Sequence, residues 1–382
     1  MKKNFLIIAH KYLPHPDDDL VSYLNQNKTS NVLHIKHSFP DSLDRKSCYT
    51  WYKKGKAYEE KCSKDYYGWP EWLLYLKELF FTLVWTLRTR EKWDFCIGMD
   101  GLSAIFGQFL KFLGKARSLI YWNIDFVPKG RFKSNWKNSI YHKINKVAVL
   151  QADQLWDLSP RMKEAREEFM GIKPHDYKEY KIVPYGVWTE RIEKYNYNDC
   201  EKNTLVFMGH LLPKQGVDVV IKKIGEIVKV VPNFSFKIIG DGRERDNLVA
   251  LAKKLKITKY CKFMGRLESK FMEKEIGKSC VAIAPYIKSL DIWTYYADPG
   301  KVKTYLACGV PVLLTDVPWN AQQIEEKQCG FIIQDMGTDL VEKLKALMNP
   351  KINQKYRNNA INYSKNFNYE NIFKKINFTS TQ

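Results

Sequence analysis

The eight cysteines of this 382-residue chain include no C-x-x-C pair, and no histidine accompanies them at ligand spacing. That argues against a disulfide framework or a structural zinc site and for a reducing compartment. A membrane span is also missing. The most hydrophobic stretch, Trp69 to Leu87, is broken by Pro70, Glu71, Lys77 and Glu78, and adjacent charges in its middle are costly at bilayer depth. The Met-Lys-Lys start imitates a signal peptide, but the apolar run Phe5 to Ala9 is too short for one and has no small-residue cleavage site. It reads instead as a first buried strand. The chain has no Walker lysine–serine motif, no G-x-G-x-x-G, no arginine-rich tract and no aromatic RNA-binding motif, which makes nucleic acid the weakest of the anionic partners. Acids are scarce relative to bases, 42 against 62, for a formal charge of +20. Anionic partners such as nucleotides and phospholipids are therefore attracted.

Apolar runs alternate with amphipathic segments along the whole length. Phe5 to Ala9, Asn31 to Ile35, Phe95 to Met99, Ser118 to Trp122, Gln154 to Leu158 and Lys181 to Val183 form one set. Thr204 to Met208, Phe236 to Ile239, Lys262 to Met264, Val281 to Ala284, Val312 to Thr315 and Phe331 to Ile333 form a second. Strands separated by helical stretches predict βαβ units and parallel sheets whose carboxyl ends carry the ligand site. The expected domains are 1–188 and 200–350, with a polar linker between Trp188 and Asn203. Trp69 to Leu87 has two readings: a helix buried against the first domain, or an amphipathic surface helix whose following Arg88, Arg90 and Lys92 meet anionic headgroups.

The richest stretch runs from Asp298 to Asp316 and reads as loop, helix, turn, strand. Pro299 fixes φ for a first helical turn and Gly300 admits a ligand to the backbone, so free N–H groups face an anion there. Gly309 ends that helix. Phe207 to Ile221 is a strand end, a glycine turn at Gly209, a basic loop with His210 and Lys214, and a helix starting near Gly216. Gly240-Asp241-Gly242 and Gly265-Arg266 end two more strands. Glycine-terminated strands converging with the Pro-Gly-Lys helix start describe a clamp for a nucleotide diphosphate. Asp17-Asp18-Asp19 stands before a helix and reads as N-terminal charge rather than a metal-binding D-x-D.

These motifs, in this order from about Thr204 to Ile333, resemble the GT-B glycosyltransferases, in particular retaining family 4. The resemblance rests on Gly209-His210 with Lys214-Gln215-Gly216, on Gly240-Asp241-Gly242 and Phe263-Met264-Gly265, and on Thr304-Tyr305-Leu306-Ala307-Cys308-Gly309-Val310-Pro311-Val312. It implies an α/β fold of two Rossmann-like domains with parallel sheets facing an interdomain cleft. The acceptor would bind in the first domain and the nucleotide-sugar in the second, and a closing helix within 355–382 would pack back on the first. Donor-binding positions would be Gly209, His210, Lys214, Gly240, Gly242, Arg266, Pro299, Gly300, Lys301 and Thr304. The family's two glutamates fall on Tyr296 and Thr304, and its lysine on Gln215, with Lys214 one residue early. Asp298 is the acid expected to compensate, with Asp291 also nearby. Asp125, after the strand Ser118 to Trp122, is expected near the reacting centre. Arg131 and Asp100 are acceptor-side candidates, Asp100 having helix capping as its commoner role. Ser159 with Met162 keeps one further pattern, and Tyr185 replaces an asparagine in another.

The resemblance implies a retaining transferase that needs no metal and no cofactor, the nucleotide-sugar being a substrate. Its acceptor would be a glycan or lipid-linked molecule in cell-surface polysaccharide or glycoconjugate synthesis. The expected location is the cytoplasm, with peripheral contact to an anionic membrane at the inner face. Two rivals stand beside it, a nucleotide-sugar epimerase of the same architecture and a non-catalytic, degenerate sugar-binding scaffold.

Overall fold

The computed structural model describes residues 3–10, 15–26, 28, 30–124, 127–128, 130–290, 292–376 and 378. The chain divides into two units, Met1–Pro184 with Phe373–Gln382, and Tyr185–Ile372.

The first unit holds strands β1 (Asn4–His10), β2 (Asn31–His37), β3 (Ser47–Lys53), β4 (Lys56–Cys62), β5 (Trp93–Gly98), β6 (Ala116–Asn123), β7 (Gln154–Asp157) and β8 (Tyr180–Ile182). Its helices are α1 (Pro16–Gln26), α2 (Glu71–Arg88), α3 (Gly101–Phe112), α4 (Asn135–Gln151) and α5 (Arg161–Met170). The sheet order is β4-β3-β2-β1-β5-β6-β7-β8. β1 buries Phe5 through Ala9 without alternation, as a strand covered on both faces must.

The β3–β4 hairpin is an antiparallel addition to an otherwise parallel sheet and was not expected from the sequence. Lys54 and Gly55 both take positive φ (52° and 77°), the backbone that suits a two-residue hairpin turn. Cys48 and Cys62 face each other across this hairpin and are joined by a disulfide. The eight cysteines build no framework, but one bridge is present where none was expected. The ring of Phe373 lies 5.3 Å from Tyr23 and 6.0 Å from Trp122, and Phe378 packs 5.0 Å from Phe5. The chain end thus completes the core of this unit.

The second unit holds β9 (Glu201–Met208), β10 (Ser235–Ile239), β11 (Cys261–Gly265), β12 (Ser279–Ala284), β13 (Val312–Leu314) and β14 (Gly330–Ile332), all parallel, in the order β11-β10-β9-β12-β13-β14. Helices α6 (Val217–Val230), α7 (Arg245–Lys254), α8 (Ser269–Gly277), α9 (Ile292–Tyr296), α10 (Gly300–Ala307), α11 (Ala321–Glu326), α12 (Leu340–Met348), α13 (Pro350–Ser364) and α14 (Tyr369–Lys375) complete it, the division between units falling inside α14. Strand alternation splits the core in two: Leu205, Phe207, Val281 and Ile283 pack on one face, Val206, Ala282 and Ala284 on the other.

The polar stretch 189–203, expected as a linker, folds with the second unit, as does 355–372, expected with the first. The Tyr197 N–H donates to Gln354 Oε1 at 3.0 Å. Arg357, buried on α13, donates through Nη1 to the carbonyls of Tyr195, Gly277 and Gly309 at 3.1–3.4 Å, through Nη2 to that of Ser279, and through Nε to Asn353 Oδ1 at 2.9 Å. One buried guanidinium thus serves backbone oxygens from separate loops. Among the described residues no helix is long and apolar enough to cross a membrane.

Candidate functional site

Three neighbouring strands of the second unit end in glycine, and the turns that follow lock together. Gly209 after β9 has φ 146°, and Gly240 after β10 has φ 130°. A Cβ on Gly240 would come within 2.0 Å of Gly209 O, and one on Gly242 within 2.4 Å of Leu211 O, so no side chain fits at either place. The Gly209 N–H donates to Ile239 O (2.9 Å), that of Leu211 to Asp241 O (3.0 Å), and that of Gly240 to Gly265 O (2.7 Å).

α10 arrives against this edge, held by Tyr305. The Met208 N–H donates to Tyr305 Oη at 2.7 Å, and that hydroxyl donates to Ile283 O at 3.2 Å. The helix starts one residue later than expected: Pro299 is its N-cap, with ψ 108°, and Gly300 is its first residue. Pro299 makes no side-chain capping hydrogen bond, so the first turn presents the positive end of its N–H groups.

Lys301, in the first turn, reaches back over Gly209, where a Cβ would stand 2.8 Å from Nζ. Its ammonium donates to Gln215 Oε1 and lies 4.2 Å from the ring centre of Phe207 and 4.8 Å from that of Tyr286. Burial, and then the positive charge of Lys214, hold its pKa well below the ordinary lysine range. Among the described residues no carboxylate lies within salt-bridge distance of it. Lys214 stands over the Trp293 ring at 5.3 Å. His210 and Arg266 are exposed at the ends of β9 and β11. Thr304 is half-buried, its hydroxyl 3.4 Å from Gly300 O one turn back, and Tyr296 is buried. Gly216 adopts φ 66° at the start of α6, and a Cβ there would strike Pro285 O at 1.9 Å.

Asp298 has a different setting from the free acid that was expected. It is buried, accepts from the Tyr185 N–H (2.8 Å) and Trp319 Nε1 (2.8 Å), and pairs with Lys303. Its oxygens are committed to fastening the loop ahead of α10. Burial lowers the pKa of Lys303, which the Asp298 charge only partly offsets. Trp319 was not legible as its partner, because that contact depends on how the loops after β12 and β13 meet. Asp291, the other nearby acid, lies outside the described residues.

In the first unit Asp125 also lies outside the described residues. Asp100 caps α3, accepting from the Leu102 and Ser103 N–H groups (both 2.9 Å) and from Ser103 Oγ (2.6 Å). It also meets His10 Nδ1 at 2.9 Å, while His10 Nε2 meets Glu78 at 2.9 Å. Capping and ion pairing, rather than an open carboxylate, are what Asp100 does here. Burial by itself lowers His10, but the Asp100 and Glu78 carboxylates outweigh it and push its pKa up to about 10. His37 next to it, 5.4 Å ring to ring, is bound by Ser47 Oγ and Thr82 Oγ1 and is held low by burial and by the His10 charge. This histidine cluster at the carboxyl ends of β1 and β2 went unnoticed in the sequence, since its carboxylates come from α2 and from the cap of α3. Arg131 is half-buried among the rings of Tyr141, Phe39 and Phe132, 5.4–5.9 Å away. The ligand atoms of Asp17, Asp18 and His34 lie within 4.8 Å of one another. Both oxygens of Asp17, however, are taken by His15 and His34 at 2.5 Å, so the group reads as an ion-paired helix start.

Residues 189–367 match the family Glycosyl transferases group 1. An uncharacterized glycosyltransferase of Haemophilus influenzae is 24% identical over 282 residues, 72% of this chain and 73% of that one. The GtfA subunit of a UDP-N-acetylglucosamine–peptide N-acetylglucosaminyltransferase from Streptococcus agalactiae is 23% identical over 48% of this chain and 35% of its own. Among solved structures, sucrose-phosphate synthase from Thermosynechococcus elongatus superposes with a TM-score of 0.73 at 13% identity, over 98% of this chain and 97% of that one. The lipopolysaccharide glycosyltransferase WaaG does so at 0.67 and 17%, over 97% and 98%. HepE from Anabaena, with UDP and glucose bound, gives 0.68 and 12%, over 98% of both. The architecture is GT-B.

Proposed function

We propose that this chain, a GT-B protein whose residues 189–367 form a Glycosyl transferases group 1 domain, moves a hexose from a nucleotide-sugar to a glycan or lipid-linked acceptor. The observation that carries this reading is the Lys301 ammonium, which lies over Gly209 with no carboxylate partner among the described residues. A half-buried cation lacking a counter-ion is stabilised when an anion joins it. Lys301 stands in the first turn of α10, whose N-cap Pro299 supplies no capping group, and Lys214 adds a second charge.

In glycosyl transfer the bond from the anomeric carbon to the β-phosphate oxygen breaks while a bond to the acceptor oxygen forms. Negative charge then grows on the departing diphosphate. Lys301, Lys214 and the N–H groups of α10 stabilise that charge without reorganising. Gln215, at the position of the family's lysine, holds the Lys301 ammonium, so the charge lost from the β9–α6 loop is restored from α10. Thr304 offers a hydroxyl where the family has a ribose-binding glutamate. Asp298 positions Lys303 and the loop rather than touching the sugar. UDP and glucose in HepE, and a UDP-N-acetylglucosamine activity in the relative from Streptococcus, make UDP-sugars the first donors to try. A retaining, metal-independent course and a role in cell-surface polysaccharide or glycoconjugate synthesis at the inner membrane face complete the proposal.

Calorimetry with UDP tests the clamp, and mass spectrometry of a panel of UDP-sugars with and without acceptors tests transfer. A second reading, a binding protein without turnover, is favoured by Tyr296 and Thr304 at the two glutamate positions. UDP binding with no product from any donor would establish that second reading. No UDP binding would remove both.

A further inference from the structure

α2 has its polarity reversed. The side it buries carries Lys77, Glu78, Thr82 and Thr86 beside Leu74 and Trp85. Those polar groups serve the interior: Glu78 pairs with His10, Thr82 binds His37, and Lys77 donates to Arg45 O at 3.0 Å. On the outer side, at successive turns, stand Trp72, Leu76, Phe80, Val84 and Leu87, 40–63% exposed. A helix on the surface of a water-soluble domain shows the opposite arrangement. Such a stripe, about 22 Å long at the rise of a helix, calls for an apolar cover.

The neighbouring helices continue the pattern. α3 packs beside α2 and exposes Phe109 and Phe112, and α4 packs beside α3 and exposes Trp136 and Ile140. Charge then identifies the cover. Residues 101–151, which contain both helices, hold nine lysines and arginines against a single acid, Asp125. Lys133, Lys143 and Lys146 are exposed on or just before α4, and Arg88, Arg90 and Lys92 are exposed at the carboxyl end of α2. Two copies of this face would repel each other. An anionic lipid surface matches both its halves, tails for the apolar stripe and headgroups for the cations, with tryptophans at the boundary they favour.

We propose that α2, α3 and α4 of the first unit form a docking face for an anionic phospholipid bilayer, on which the unit lies without spanning it. This deepens the membrane part of the function proposed above and rests on that reading for its purpose, although lipid binding is measured separately from donor binding.

The test is flotation of the full chain with vesicles of phosphatidylcholine alone or with phosphatidylglycerol added. It compares the parent with Leu76→Ser/Phe80→Ser and with Lys143→Glu/Lys146→Glu. Thermal melting and UDP calorimetry on the same samples report folding and the donor clamp. The parent is expected to float at least about tenfold more with anionic than with neutral vesicles, and both variants to lose most of that while melting and binding UDP as the parent does. Absence of flotation with anionic vesicles, or flotation of the serine variant equal to the parent, overturns the proposal. So does a dimer in sedimentation that the serine variant abolishes, since the cover is then a second copy. Flotation without UDP binding leaves this face standing and removes the donor reading alone.

Discussion

The ammonium of Lys301 and the bare α-carbon of Gly209 occupy adjoining space, for a Cβ at 209 would sit 2.8 Å from Nζ. That contact is possible only because the strand ends in a residue without a side chain.

Replacing Lys301 with methionine keeps the packing against Phe207 and Tyr286 and removes a half-buried charge held at depressed pKa. The variant is expected to melt higher than the parent while binding UDP at least about tenfold more weakly, the scale of a charged hydrogen bond of about 1.5–3 kcal/mol. Thermal melting and calorimetry read the two effects.

A bound diphosphate favours the charged form of Lys301 and raises its pKa, so binding takes up a proton. Affinity for UDP is therefore expected to fall as pH rises. Calorimetry in two buffers of different ionisation enthalpy measures the uptake, and Lys301→Met should abolish it.

Asp298→Asn leaves the Lys303 ammonium buried without a counter-charge, a loss of about 3–5 kcal/mol. The double variant Asp298→Asn/Lys303→Met should recover much of it in urea denaturation. If the single variant is as stable as the parent, Asp298 is not the fastening of this loop.

Gly240→Ala puts a Cβ 2.0 Å from Gly209 O at a backbone φ of 130°. The strain is expected to lower stability by about 1–3 kcal/mol and to weaken UDP binding with it, since Gly209 is displaced from beneath Lys301.

His10 gives the first unit a pH signature. Its folded pKa, about 10, lies above the ordinary 6.5. Its contribution to stability is thus complete below about 6.5 and is lost progressively as pH rises towards 10. Asp100 is shifted the other way: burial alone would raise it, but His10 and the Ser103 hydrogen bonds hold it below the usual carboxylate range. Its contribution is lost as pH falls through and below about 4. Urea denaturation from pH 5 to 10 should show the decline on the alkaline side, and His10→Gln should flatten it.

The parallel strands were legible where they are short, mostly apolar runs, as in Phe5 to Ala9 and Leu205 to Met208, which burial on both faces explains. The β3–β4 hairpin was not, because β4 is exposed almost throughout and carries no apolar period. For α2 the sequence revealed a helix but not its orientation, since Lys77 and Glu78 look solvent-facing until His10 and Arg45 supply partners. In the site, the glycine turns and the Pro-Gly-Lys start could be read from local spacing. The setting of Asp298 could not, because Tyr185 and Trp319 reach it from 113 and 21 residues away.

Arg357 binds four carbonyls from three stretches, at Tyr195, at Gly277 and Ser279, and at Gly309. None of those loops can loosen alone without stranding a guanidinium in the interior. The second unit should accordingly melt as one cooperative block, and hydrogen exchange at these positions should follow a single opening event.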